Sequence, residues 1–133
     1  MSKENVELVM ESFRRFEAND VQGYAALWHP EGRATAPADW PEPGPFVGRD
    51  AVVAQFERLA ADWANHRFEN VEVVADSGDW VVTTYSWHTR GVASGIEAHF
   101  DMALANRVQD GSIREGHFRW TRAEALEAAG LRE

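Results

Sequence analysis

Apolar residues recur every three to four positions over residues 5–17, placing Val6, Val9, Met10, Phe13 and Phe16 on one side of an amphipathic helix. The triplet Ala18-Asn19-Asp20 breaks that pattern. Asp20 then caps a second short helix carrying Tyr24, Leu27 and Trp28, which Pro30 ends. From Ala34 to Gly48 the chain is rich in proline and glycine ("APADWPEPGPFVG") and reads as a loop. A third helix is expected over 50–64, with Val53, Phe56, Leu59, Ala60 and Trp63 on its apolar face.

Beyond that helix the period changes from about 3.6 to two. Four strands follow, over 68–76, 79–91, 95–108 and 112–121, joined at Ser77-Gly78, Gly91 to Gly95 and Asp110-Gly111. A last helix starts at Thr121. Thr121 and Glu124 have the T-x-x-E spacing of a capping box, with Ala125, Leu126, Ala129 and Leu131 behind them. Three helices, a strand meander and a closing helix make an α+β domain spanning residues 1–133, in which the sheet must curl over the helices.

Strand register follows from keeping one face apolar, because a slip of one residue turns a whole face over. Pairing Trp87 with Phe100, Tyr85 with Met102, Thr83 with Leu104 and Val81 with Asn106 gives an apolar inner face. The other face then pairs Arg90 with Glu97, His88 with His99 and Ser86 with Asp101. For the next hairpin, a three-residue Gln109-Asp110-Gly111 loop keeps the faces separate. It sets Met102 opposite Phe118, Phe100 opposite Trp120, Leu104 opposite Gly116 and Asp101 opposite Arg119. A two-residue Asp-Gly turn would mix the faces.

Composition narrows the function. The 133 residues carry 13 Lys+Arg against 22 Asp+Glu, a net charge of −9, which repels nucleic-acid backbones and anionic lipid. Neither a nucleic-acid nor a membrane partner is expected. The opening "MSKENVELVMESF" lacks the apolar core of a secretory signal, so a cytoplasmic location is expected. Without cysteine there is no disulfide, thiolate metal site or cysteine nucleophile. No phosphate-binding glycine loop, nucleophile elbow or H-E-x-x-H is present, so no cofactor or metal is expected. Six Trp and seven Phe are many for this length; most belong to the core, and several are available to line a cavity for an apolar ligand.

The chain resembles the SnoaL-like, ketosteroid-isomerase-like branch of the nuclear transport factor 2-like superfamily. The resemblance rests on "ENVELVMESFRRFEANDVQGYAALWHPEG", "WPEPGPFVGRDAVVAQFERL", "SGIEAHF", "QDGSIREG" and "RAEALEAAGL", which together span nearly the whole chain. It implies a bacterial protein with a cone-shaped fold, an apolar pocket at one end and a homodimer through the outer sheet face. The ketosteroid isomerase roles fall on Ala36 before Pro37, near Ser12 and near Leu104, and none of the three supplies an acid or base. The histidine, aspartate and asparagine roles of polyketide cyclases and scytalone-dehydratase-like enzymes have His29, His88, His99, Asp101 and Asn106 as available analogues.

The candidate substrate-binding residues are Trp28, Trp40, Phe56, Trp63, Tyr85, Trp87, Met102, Asn106 and Phe118. Asn106, Asp39, His99 and Asp101 are the catalytic candidates. The register sends His99 and Asp101 to the outer face, beside His88, His117 and Arg119, where a solvated or dimer-facing surface is the plainer reading. Asn106 faces inward, either towards a ligand or in a structural bond to Arg114. Asp39 and Trp40 belong to the loop that rims the pocket, and His29 reads as a cap or surface residue. Two functions remain: a cofactor-independent cyclase, dehydratase or isomerase acting by proton transfer on an apolar carbonyl compound, or a non-catalytic ligand-binding or dimerisation module.

Overall fold

The computed structural model describes residues 2–131, so Met1, Arg132 and Glu133 of the expected domain lie outside it. Helices α1 (Ser2–Glu17), α2 (Val21–Ala26) and α3 (Arg49–Asp62) lie in the concavity of a bent sheet. Its strands are β1 (Trp28–Thr35), β2 (Phe46–Val47), β3 (Trp63–Ser77), β4 (Trp80–Gly91), β5 (Glu97–Gln109) and β6 (Ser112–Arg119), in the order β2-β1-β6-β5-β4-β3. Helix α4 (Arg122–Ala128) closes the chain. The expected α+β cone is therefore present, with two strands more than expected. β1 runs parallel to β6, whereas every other neighbouring pair is antiparallel.

α1 buries Val9, Phe13 and Phe16, the stripe expected from its spacing, together with Ser12. Asp20 caps α2 by accepting a hydrogen bond from the Gly23 N–H at 2.9 Å. That helix stops at Ala26, so Trp28 belongs to β1 rather than to the helix. α3 buries Val52 and Phe56; Val53, expected on its apolar face, is only half-buried. Trp63, expected at the helix end, is the first residue of β3.

The β4–β5 register is the expected one, from Val81 opposite Asn106 to Arg90 opposite Glu97. The β5–β6 register is not. Asp110 and Gly111, with φ of 51° and 76°, form a two-residue turn that pairs Gln109 with Ser112. Val108 then pairs with Ile113 but Arg107 with Glu115, leaving Arg114 as one extra residue. That bulge restores the alternation the short turn upsets. Consequently Phe118 lies opposite Leu104 rather than Met102, Gly116 opposite Asn106 rather than Leu104, and Arg119 opposite Ala103 rather than Asp101. Trp120 lies beyond the strand, its ring 6.1 Å from that of Phe100.

Curvature comes from β3, whose pairing with β4 shifts three times. Two of the shifts contain Asn65 and Asn70 at φ of 58° and 56°, a conformation asparagine tolerates better than most residues. Each shift bends the strand and raises its twist, so β3 wraps around α1.

On the outer side of the sheet α4 covers Val82, Ala103 and Ala105 with Ala125, Leu126 and Ala129, a second small core. Its capping box is formed as expected, Thr121 accepting from the Glu124 N–H and Glu124 from the Thr121 N–H. Thr121→Ala is expected to cost about 1 kcal/mol. That appears as a melting temperature lower by about 3 °C in a thermal scan.

Candidate functional site

Between the helices and the concave sheet lies a cavity of about 90 Å³, and most of its wall is aromatic or aliphatic. α1 contributes Ser12, Phe13 and Phe16, α3 contributes Val52, Gln55, Phe56 and Leu59, and the sheet contributes Tyr85, Trp87, Met102, Leu104 and Phe118. The β1–β2 loop closes over it with Ala36, Pro37 and Trp40. No Asp, Glu or His lines it among the described residues.

Of the expected binding residues, Trp40, Phe56, Tyr85, Trp87, Met102 and Phe118 meet around this cavity. Trp63 lines a neighbouring chamber at the mouth. Trp28 and Asn106 line neither; both are buried in the core, where Gly116 lies against the two of them. Asn106 donates to the Glu115 carbonyl at 3.2 Å rather than bonding Arg114, and its own oxygen has no partner. Ser12, Ala36 and Leu104, the positions marked by the isomerase resemblance, all line the cavity. None of the three carries an acid or a base. Ser12 spends its hydroxyl on the Val9 carbonyl at 2.6 Å.

The polar groups that do face the cavity are hydroxyls and one amide. Tyr85 is buried, and its hydroxyl meets only the Met102 sulfur, at 4.0 Å, a weak acceptor. Burial, reinforced by nearby Tyr24, pushes its phenol far above the usual tyrosine range, so it remains a protonated donor. Burial also raises Tyr24, to about 12, with the Trp28 indole working the other way. The Trp28 N–H nevertheless makes no hydrogen bond of good geometry, so that opposing effect is weak. Thr35 is held by Arg119 at 2.9 Å and by His117 at 2.7 Å. His117 in turn reaches Glu115 at 2.8 Å. Burial alone would raise the Glu115 carboxyl, but hydrogen bonds from His117 and Arg107 outweigh it and leave it below the usual range.

The remaining candidates are outside the cavity. Asp39 is exposed and accepts the Trp120 indole N–H at 2.7 Å, pinning the rim loop. His99 stacks on His88 at 5.0 Å and 12° on the outer face, 3.3 Å from Asp101. The Ser86 hydroxyl, at 2.7 Å, and then His99 hold the exposed Asp101 carboxyl below its usual range. His29, on β1, faces Arg114 at 3.0 Å. No cluster of three or more possible metal ligands occurs among the described residues, and no helix there is long and apolar enough to cross a membrane.

One relevant histidine escapes sequence reading. His66 follows Asn65 at the first β3 bulge and tucks against Phe16 and Trp87. The Trp87 indole N–H, a donor only, donates to its Nδ1 at 3.1 Å, which requires that nitrogen to be unprotonated. Burial lowers its pKa. Below about pH 6.5 the unfolded chain therefore binds the proton more readily than the folded one, and stability falls as pH falls. Thermal scans between about pH 7.5 and 5.5 should show that loss, and His66→Gln should flatten it.

Comparison with known proteins gives this geometry a family. A family model for the SnoaL-like domain matches residues 9–116. The chain belongs to the SnoaL-like family. Among its relatives, an uncharacterized PhzA/B-like protein of Pseudomonas aeruginosa is 31% identical over 129 residues, covering 93% of this chain and 89% of the relative. A candidate polyketide cyclase from Xanthomonas campestris superposes on the SnoaL-like chain with a TM-score of 0.79 at 18% identity, covering 95% and 96% of the two chains. An NTF2-like protein of unknown function from Burkholderia pseudomallei gives 0.78 at 24% identity, covering 96% and 97%. The cone of this SnoaL-like protein is thus the NTF2-like fold.

Proposed function

We propose that this SnoaL-like protein binds a small, mainly apolar molecule bearing a carbonyl or hydroxyl oxygen, without proton transfer by a protein carboxylate or imidazole. The observation behind this is an aromatic cavity that no Asp, Glu or His lines among the described residues, with the Tyr85 hydroxyl poorly partnered inside it. Trp40, Phe56, Trp87, Met102 and Phe118 supply the apolar contact, and Tyr85 donates to the ligand oxygen. A volume of about 90 Å³ suits one ring or a short chain. Homodimerisation through the outer sheet face and a cytoplasmic location belong to the same proposal.

Acetophenone and ethylbenzene, alike in shape but not in the carbonyl, test it by calorimetry. Tyr85→Phe should weaken acetophenone about tenfold, as loss of one buried hydrogen bond does, and leave ethylbenzene within about twofold. Unchanged acetophenone affinity in that variant defeats the assignment.

Tyr85 also favours a second reading, a cofactor-independent cyclase, dehydratase or isomerase, because a protonated buried phenol can stabilise a developing oxyanion. The candidate polyketide cyclase among the structural neighbours supports the fold of such an enzyme and no more. Exchange of the acetophenone methyl protons for deuterium decides between the two. Faster exchange than in buffer, lost in Tyr85→Phe, favours the enzyme, with solvent water taking the methyl proton while the Tyr85 hydroxyl donates to the enolate oxygen; exchange at the buffer rate favours the binding module.

A further inference from the structure

Outside the inner cavity, at the mouth of the cone, lies a wider chamber of about 500 Å³, lined by Trp40, Trp63, Phe100, Glu42, Arg58 and Asp62 among others. The two chambers share Trp40, Gln55 and Leu59 and so adjoin. Three aromatic rings shape the outer one. Trp40 and Trp63 stand 6.0 and 5.9 Å from Phe100, with their planes at 79° and 90° to its plane. The two indoles do not touch each other; both lean on Trp87, at 6.3 and 6.1 Å, which packs on Phe100 at 5.3 Å, and the chamber opens onto Trp40, Trp63 and Phe100 above that floor.

The charges at this mouth do not balance. Arg58, the only basic residue lining it among the described residues, is paired with Glu42 at 3.1 Å, bonded to Gln55 at 3.0 Å and laid over the Phe46 ring at 5.6 Å. Asp62 makes no ion pair among the described residues and is left as the unneutralised charge. Aromatic faces beside a spare carboxylate attract a cation, and a chain of net charge −9 raises the local cation concentration further. Its neutral side-chain acceptors are already engaged, the Gln55 carbonyl by Arg58 at 3.0 Å and the Ser94 hydroxyl by the Ile96 N–H at 3.1 Å. A primary ammonium would lose water there without replacing it, whereas an alkylated ammonium carries little ordered hydration and matches the rings.

We infer that the mouth is a binding site for the alkylated ammonium head of a small organic cation, held between Trp40 and Trp63 over Phe100, with Asp62 as counter-charge. The short apolar remainder of that ligand enters the inner cavity, a part that rests on the function proposed above. The head site stands without it.

Calorimetry on the full chain with hexyltrimethylammonium, 1-hexanol and hexyl sulfate separates the two parts. Hexyltrimethylammonium should bind about tenfold more tightly than 1-hexanol, and hexyl sulfate more weakly than either. Trp63→Leu should weaken the ammonium about tenfold and 1-hexanol less than about twofold. Asp62→Asn, at an exposed position, should weaken the ammonium about threefold, and the remote Glu127→Gln should change nothing. Asp62→Asn alone carries the test if Trp63→Leu fails to fold. Equal affinity for ammonium and alcohol, or an ammonium affinity that Asp62→Asn leaves unchanged, overturns the head site and leaves the inner-cavity reading standing. Ammonium binding without 1-hexanol binding sustains the head site and removes the apolar cavity as its extension.

Discussion

Trp28→Ala is expected to cost about 3–5 kcal/mol, the range for deleting a buried aromatic, and to lower the melting temperature by more than about 10 °C. Trp28 is 2% exposed, and the backbone around it is fitted to its ring. A Cβ on Gly32 would fall 2.8 Å from its Cε3, and one on Gly116 would fall 2.9 Å from its Cη2. Both glycines therefore serve close approach, and Gly116→Ala should itself cost about 1–3 kcal/mol by overpacking. The unpartnered indole N–H sharpens the expectation. Trp28→Phe removes that orphaned donor, offsetting part of the lost contact, and should cost less than Trp28→Ala. In the Trp28→Phe background the smaller ring leaves room for the new methyl, so Gly116→Ala should cost less than in the parent chain, the contact with Asn106 Nδ2 at 3.2 Å remaining. Chemical denaturation of the two single variants and the double variant measures this coupling, and strict additivity would show that the glycine is not there for the tryptophan.

The parts of this fold that were legible are those where one rule acts over a long stretch. β4 and β5 pair without a shift, so the alternation of Tyr85, Trp87, Phe100 and Met102 with Ser86, His88, His99 and Asp101 was enough to fix their register. β6 was placed on the correct face but two residues out of register. The sequence gives no sign that Arg114 bulges to repair a two-residue turn. β1 was missed because Trp28-His29-Pro30-Glu31-Gly32-Arg33 has no alternation and contains both Pro and Gly. Its partner, β6, lies some eighty residues away in a parallel pairing that local pattern cannot report.

The site follows the same division. Tyr85, Trp87, Met102 and Phe118 could be named because the inward-facing apolar residues of a curled sheet must line whatever the sheet encloses, and Phe56 because it lies on the apolar face of α3. Trp28 and Asn106 share that inward orientation yet lie in packed core, and only the three-dimensional curvature separates the two groups. His66 reaches Trp87 through a bulge at a positive-φ asparagine, a feature without a pattern signature. Asp39 shows the converse. Its neighbour Trp40 does cover the cavity, but the Asp39 carboxylate turns outward to Trp120, so adjacency in sequence did not give a shared role.

The second large effect concerns occupancy. Ala36→Phe should weaken acetophenone binding more than about a hundredfold, the loss of nearly all the apolar contact that about 90 Å³ can offer. Ala36 lines the cavity from the rim loop rather than from a strand or helix, and it is only half-buried, so an added ring has cavity space to enter. Loop position limits the strain. Its backbone is held by one hydrogen bond, from its N–H to the Pro43 carbonyl at 2.8 Å, which a larger side chain leaves intact. The variant should therefore keep its melting temperature within a few degrees, or gain slightly by filling a void. Tyr85→Phe removes one hydrogen bond and keeps the shape; Ala36→Phe keeps the hydrogen bond and removes the space. If binding survives Ala36→Phe while Tyr85→Phe weakens it, the ligand approaches Tyr85 by a route other than the cone mouth. If binding survives both, acetophenone sits elsewhere on the protein, and the inner cavity loses its claim to be the site.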